Sequence, residues 1–415
     1  MENIQEILKN ASLTTTQISN LSAELKQKVL EKLAEKIEQH SAVIIQENQK
    51  DLDRMEDENP KKDRLLLNEE RIKALAQSVK DVAILPDPTH QLLLEKTLTN
   101  GLKLQKQTVA LGVVGMIYES RPNVTIDVAA LCIRSGNVCL LRGGSDAQYS
   151  NLILVKMIRE TLSEFQLNPN IVQLLPVERK HVEELLKANK YVDILIPRGS
   201  QALIDFVRQN AKVPVIETGA GVCHTYVEAS ANVDQASEII YNAKVSRPSV
   251  CNALDTVLMD RSVSVNLISK MSVLMKKAEV EIFADETSYQ LLKAVDYPFL
   301  KRASEEDFGR EFLALKCSVK VVDDLDEALA HIKTYSSKHS EAILSEDAQK
   351  IERFLNEVDA AAVYANASTR FTDGGVFELG AEIGISTQKL HARGPFALEK
   401  LVTEKWIIQG NGQVR

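Results

Sequence analysis

No stretch of this 415-residue chain approaches the ~20 consecutive apolar residues that a bilayer-spanning helix needs, so a membrane location is not expected. The N-terminal M-E-N-I-Q-E-I-L-K-N has neither an apolar core nor a small-residue cleavage site. No secretory signal is read there, and the expected compartment is the cytoplasm. Lys and Arg never form more than short pairs and the net charge is −8, which leaves no electrostatic footprint for nucleic acid. There is no C-x-x-C pair and no histidine cluster at ligand spacing, so no metal site is expected. Five cysteines, an odd number at irregular spacing, fit a reduced compartment better than a disulfide framework. A G-x-G-x-x-G is also missing, as are internal repeats and low-complexity segments.

What is present is a globular composition, 44% hydrophobic and 26% charged, on a chain long enough for two or three domains. Ile18, Leu21, Leu25, Val29, Leu33 and Ile37 recur at helical spacing, and amphipathic helices continue to Leu85. E-K-T-L-T-N-G-L-K-L-Q-K-Q-T (95–108) sets Asn100-Gly101 between alternating runs and predicts a hairpin, since both residues tolerate positive φ. Apolar runs at 110–118, 137–142, 171–176, 192–197 and 213–218 then alternate with helical stretches, the pattern of a parallel sheet covered on both faces. A second set lies at 255–259, 280–284, 315–322, 341–344 and 361–366. A helix near Val233 to Lys244 links the two sets, and Cys251 follows it, expected at the seam. Residues 366–395, rich in Gly, Ser, Thr and charge, predict a long functional loop segment.

Cysteine nucleophiles act as thiolates, so neighbours and position decide which sulfur can react. Cys251, in V-S-R-P-S-V-C-N-A-L-D-T (245–256), sits in a break between helix and strand. Arg247 could lower its pKa, and Asn252 could donate to an oxyanion. A small buried hydrophobe is the alternative, and it fits Cys132, Cys139, Cys223 and Cys317 well. Glu217 ends a strand-like run before a glycine turn, which suits an acid/base or cofactor contact at the carboxyl edge of a parallel sheet; a turn-capping carboxylate is its rival. I-L-I-P-R-G-S-Q (194–201) reads as strand, then Gly199, then Ser200 capping a helix, an arrangement that offers free N–H groups to a pyrophosphate. C-L-L-R-G-G-S-D (139–146) ends a strand with Arg142, Gly143 and Ser145, which suits a 2′-phosphate and hence NADP; either could equally be an ordinary strand-to-helix turn.

Taken together, Y-E-S-R-P-N-V-T-I-D-V-A-A-L-C-I-R-S-G-N (118–137), R-P-S-V-C-N-A (247–253), N-A-S-T-R-F-T-D-G-G (366–375) and G-A-E-I-G-I-S-T-Q-K-L-H-A-R-G-P (380–395) resemble the aldehyde dehydrogenase superfamily, specifically its branch that reduces an acyl phosphate. The resemblance runs over nearly the whole chain. It implies two α/β domains with parallel sheets plus a β oligomerisation arm: a NADP-binding domain over 1–93 and 113–224, a catalytic domain over 225–390, and an arm over 94–112 and 391–415. It implies that Cys251 is the catalytic thiol and that Glu217, 34 residues before it, is the superfamily glutamate. Ser249 stands where the family pattern has glycine. The R-G-G-S and P-R-G-S turns would hold the cofactor, and Glu311, with Glu306 as rival, would steady its ribose.

The implied reaction is NADPH-dependent reduction of L-glutamyl 5-phosphate to L-glutamate 5-semialdehyde through a cysteine thioacyl intermediate. Asn123 and Asn252, with the Cys251 backbone N–H, are the candidate oxyanion donors. Arg121, Arg370, His391 and Arg393 are candidates to hold the anionic small-molecule substrate, each with a structural ion pair as its alternative. The hairpin and L-V-T-E-K-W-I-I-Q (401–409) resemble the superfamily's arm and imply a homo-oligomer. Association with glutamate 5-kinase, which makes the acyl phosphate, is left open. Two rivals are a thiol dehydrogenase that oxidises aldehydes with water activated by Glu217, and a non-catalytic protein of the same fold.

Overall fold

The computed structural model describes residues 4–56, 59 and 62–415, so the first three residues of the N-terminal stretch and part of the lead-in lie outside the described residues. The chain forms two units, one of residues 1–218, 378–384 and 396–415, the other of 219–377 and 385–395. No helix among the described residues is long and apolar enough to cross a membrane.

The helical spacing from Ile18 to Ile37 is not one helix. It breaks after Thr15–Ser19 and restarts at Ala23–Gln39, because Ser22 caps the second helix by accepting from Leu25 N at 3.2 Å. That helix buries Val29, Leu30, Leu33, Ala34 and Ile37 and packs on Glu69–Ile84. Its Lys26 is fully buried too, which is tolerable because Nζ reaches Asp87 at 2.8 Å and Thr89 at 3.3 Å.

The hairpin is β1 (Leu92–Thr97) and β2 (Lys103–Ala110), and the C-terminal strand Val402–Gln409 joins it to give a three-stranded antiparallel sheet. Its connection is longer than a two-residue turn: Thr97 pairs with Lys103, Leu98 N donates to Leu102 O, and Gly101 N donates to Leu98 O. Only Gly101 takes a positive φ, 87°; Asn100 acts through its side chain, accepting from Leu102 N.

The parallel sheet of the first unit comprises β3 (Val113–Tyr118), β4 (Val138–Arg142), β5 (Val172–Leu174) and β6 (Ile194–Arg198), in the order β5-β4-β3-β6. The run at 213–218 does not add a strand; it makes a single bridge, Leu195 to Val215. Pro214 supplies a carbonyl to Leu195 N but has no N–H with which to continue a ladder.

The second unit is built on seven parallel strands: β7 (Cys223–Val227), β8 (Leu254–Asp260), β9 (Glu281–Ala284), β10 (Leu300–Arg302), β11 (Lys316–Val322), β12 (Ser340–Leu344) and β13 (Ala362–Ala365), in the order β10-β9-β11-β8-β7-β12-β13. Residues 219–224, expected with the first domain, belong here, since β7 pairs with both β8 and β12. Residues 391–395, expected with the arm, also group with this unit. Its core packs Val257, Met259, Ile282, Val319 and Leu344 against Leu267, Met271 and Met275 of the helix Arg261–Lys277.

Candidate active site

A helix, Val233–Val245, ends at Ser246, and β8 begins at Leu254; Cys251 lies in the turn between them, closed by Ala253 N donating to Val250 O at 3.0 Å. It is the only half-buried cysteine, the other four being buried. Burial pushes the Cys139 and Cys223 thiols well above their ordinary range and Cys317 up to about 12, so those three stay protonated at neutral pH.

The turn is gripped on two sides. On one, a Cβ at Gly221 would lie 1.5 Å from the Cys251 carbonyl oxygen, so only glycine leaves room, and the Cys223 thiol donates to that same oxygen at 3.2 Å. On the other, Asn252 is buried and cross-linked to the loop after β13. Its Nδ2 donates to Thr372 O at 2.8 Å and Arg370 O at 3.3 Å, its Oδ1 accepts from Arg370 Nη1, and its carbonyl accepts from Thr369 Oγ1 at 2.8 Å. The expectation that Asn252 donates to an oxyanion is therefore corrected. Both its amide hydrogens are already committed to backbone carbonyls, which makes its side chain a strut.

The residues around Cys251 precede their strands: Gly221 comes before β7, Cys251 and Asn252 before β8, Glu311 before β11, and Ser337, which accepts from Val222 N at 2.8 Å, before β12. In a parallel sheet all such positions share one edge, so the thiol sits at the amino edge of the second sheet. Glu311 accepts from Gly221 N at 2.9 Å, and burial raises its carboxyl above the usual range; Glu306 is instead exposed in a short 3-10 turn. Beneath them Lys244 and Asp255, both buried, pair at 3.3 Å, with the Asp255 carboxyl held up to about 6, principally by burial.

The remaining predicted residues fall in two groups. In the first unit, Arg121 precedes the helix Pro122–Arg134 and is half-buried, while Asn123, in its first turn, is exposed and donates to Asp127 Oδ2 at 3.1 Å. Glu217 is half-buried with Arg208 Nη1 at 3.6 Å. In the second unit, Arg370 is half-buried against Asn252 and Ser246, and Arg393 pairs with Asp359 at 2.7 Å beside Lys389. His391, exposed, takes a φ of 63° in that same loop. Arg393 thus makes an ion pair within the protein, the alternative given for it, whereas Arg370 donates to the neutral side chains of Asn252 and Ser246.

The two turns expected to hold a cofactor differ. At the first, Arg142 Nη2 donates to Val177 O at 2.6 Å while its buried Nε has no partner in the protein, and Gly143 packs so closely that a Cβ would meet Asn151 Nδ2 at 2.2 Å. A guanidinium donor that the protein leaves unengaged suits a phosphate. At the second, Ser200 caps the helix Gln201–Asn210, but an anion is already present. The Glu119 carboxylate accepts from Ser200 N at 3.1 Å and from Ser200 Oγ at 3.2 Å, and lies 2.8 Å from a Cβ placed on Gly199. A pyrophosphate at that helix end has to displace Glu119.

Sequence reasoning missed Gly221, Thr369, Thr372 and Glu119. Gly221 was visible as a turn glycine, but what it makes room for lies 30 residues on (251 − 221), beyond any local pattern.

Comparison with known proteins gives the family of the chain. The profile of the aldehyde dehydrogenase family matches residues 1–290. The chain is 53% identical over its whole length to gamma-glutamyl phosphate reductase of Pelodictyon phaeoclathratiforme (strain DSM 5477 / BU-1), covering 99% of that protein. It is 52% identical to gamma-glutamyl phosphate reductase of Legionella pneumophila (strain Paris), with 98% of each chain covered. The crystal structure of gamma-glutamyl phosphate reductase from Thermotoga maritima superposes with a TM-score of 0.95 at 39% identity, covering 100% of both chains. The chain belongs to the aldehyde dehydrogenase family, a family of oxidoreductases.

Proposed function

We propose that the chain catalyses the NADPH-dependent reduction of L-glutamyl 5-phosphate to L-glutamate 5-semialdehyde and phosphate, the second step of proline biosynthesis from glutamate. The observation that carries this reading is the 53% identity, over the full chain, to a relative of that name. The half-buried thiol in a clamped turn supplies its chemistry.

Cys251 attacks the γ-carbonyl as a thiolate. A carbon–sulfur bond forms, the carbon–oxygen bond to phosphate breaks, and phosphate leaves with that bond's electron pair, giving a thioacyl enzyme. When bound, NADPH supplies the hydride that reduces this acyl group. The developing oxyanion takes the Cys251 backbone N–H. Collapse of the thiohemiacetal re-forms the carbonyl and returns the thiolate. Arg142, Gly143 and Ser145 would hold the cofactor phosphate, and Gly199 and Ser200 its pyrophosphate once Glu119 moves. His391 remains a candidate for an anionic group of the substrate. Water has to be excluded while the thioester stands, so Glu217, beside Arg208, is not assigned as a water-activating base.

The reaction is placed in the cytoplasm. The arm exposes Leu92, Leu93, Trp406 and Ile408, a surface suited to a second copy of the chain, and a complex with glutamate 5-kinase would shield the unstable acyl phosphate. The test is nicotinamide absorbance in the reverse direction, with glutamate semialdehyde, NADP and phosphate. Cys251→Ala should lose at least ~10³-fold in rate, and equal rates would remove Cys251 from the mechanism.

A further inference from the structure

We propose that Arg370 is a positioning residue for Cys251, acting through Asn252 and through its charge, and is not a clamp on the substrate. The proposal rests on the reading of Cys251 as the nucleophile.

The guanidinium spans two anchors. Nη1 donates to Asn252 Oδ1, and Nε donates to Ser246 Oγ at 3.1 Å, whose own hydroxyl donates to Asn242 O at 2.7 Å at the end of the helix Val233–Val245. Arg370 therefore ties the two flanks of the Cys251 turn, residue 246 before it and residue 252 after it. Its backbone joins the same knot, since Arg370 O and Thr372 O take the Asn252 amide hydrogens. Thr372 is itself fixed, its Oγ1 lying 2.7 Å from Ser340 Oγ and 2.6 Å from Tyr364 OH. The rigidity of β12 and β13 thus passes through this loop to the residue beside the thiol.

The same two anchors hold the guanidinium charge beside the Cys251 turn. Burial, and then the neighbouring Arg247, lower the Arg370 pKa, whereas Asp373 and Cys251 raise it. A cation tied to both flanks of this turn favours the thiolate of Cys251. Only a planar fork can satisfy Asn252 and Ser246 together while holding its charge in place; a lysine ammonium supplies the charge alone.

The test separates charge from grip without relying on turnover alone. Iodoacetamide alkylation of the free enzyme, mapped to Cys251 by mass spectrometry, is followed against pH for wild type, Arg370→Gln and Arg370→Lys. In Arg370→Gln the alkylation pKa should rise by about one unit, and the rate at pH 7 should fall about tenfold. Arg370→Lys should keep the pKa within about 0.3 unit of wild type while kcat falls about tenfold at nearly constant KM. An unshifted pKa in a folded Arg370→Gln, or a rise in KM at unchanged kcat in Arg370→Lys, would overturn the proposal in favour of a substrate clamp. If Arg370→Gln does not fold, Arg370→Lys decides by itself. Failure of the underlying reading shows separately, as Cys251→Ala retaining activity.

Discussion

The carbonyl oxygen of Cys251 lies 1.5 Å from the point where a side chain on residue 221 would begin, and the two residues approach this closely because Gly221 carries none. Gly221→Ala must push the Cys251 turn away, since the obstacle is backbone and not the tip of a flexible side chain. Overpacking of this kind costs about 1–3 kcal/mol, and a misplacement near 1 Å costs about 10²-fold in rate. We expect a folded variant with a slightly lower Tm and kcat reduced about a hundredfold. Stopped-flow rates and thermal melts check both.

Glu119 supplies the anion at the Gln201–Asn210 helix end. Glu119→Gln removes the negative charge that a dinucleotide phosphate, if bound there as proposed, would have to displace. The helix loses a favourable N-terminal charge worth about 0.3–1 kcal/mol. The Kd for NADP, measured by fluorescence titration, should fall about three- to tenfold. A weaker Kd would show that Glu119 helps to hold the cofactor.

Burial drives the imidazole of His331 down to about 3 and that of His339 down to about 4, while in the unfolded chain histidine titrates near 6.5. Between those values the unfolded state binds more protons than the native state. The stability these groups contribute is complete above about pH 6.5 and declines as pH falls toward 4. Asp255, raised to about 6, works in the opposite sense over its own window and offsets part of the loss. His331 packs against Phe308 and Tyr335 with ring centroids 5.2 and 4.6 Å away, so His331→Phe keeps an aromatic there and removes the titration. Between pH 7.5 and 5.0 the variant should lose about 2 kcal/mol less stability than wild type in urea melts. Equal losses would place the acid sensitivity elsewhere.

Glu217→Gln separates phosphate-dependent reduction from hydrolytic oxidation. With Arg208 as its neighbour, Glu217 is expected to matter little to acyl-phosphate chemistry, and turnover with phosphate should stay within about threefold of wild type. A loss of 10³-fold or more would restore it as a general base.

The strands legible in the sequence were those written as apolar runs, such as Val113–Tyr118 and Lys316–Val322. Cys223–Val227 was legible only as a strand start at Cys223, because its buried side chains include His224 and Thr225, and the strand is held partly by Glu341, which accepts from His224 N at 2.8 Å and reaches His224 Nδ1 at 3.1 Å. The run at 213–218 had the right composition, but Pro214 limits it to one bridge. Within the site, Cys251 could be picked out because it alone breaks between helix and strand. The commitments of its neighbours could not. Asn252 looks like a free donor until Arg370 and Thr372, more than a hundred positions later, are brought onto it. Ser200 looks like an open phosphate cradle until Glu119 fills it.

The proposed mechanism requires Cys251 to carry the substrate's acyl group between phosphate release and reduction. Rapid quenching of the enzyme with L-glutamyl 5-phosphate in the absence of NADPH, followed by peptide mass mapping, should place a glutamyl adduct on the peptide holding Cys251, removable by hydroxylamine. An adduct on any other side chain, or none in wild type under conditions that support turnover once NADPH is added, would contradict the account.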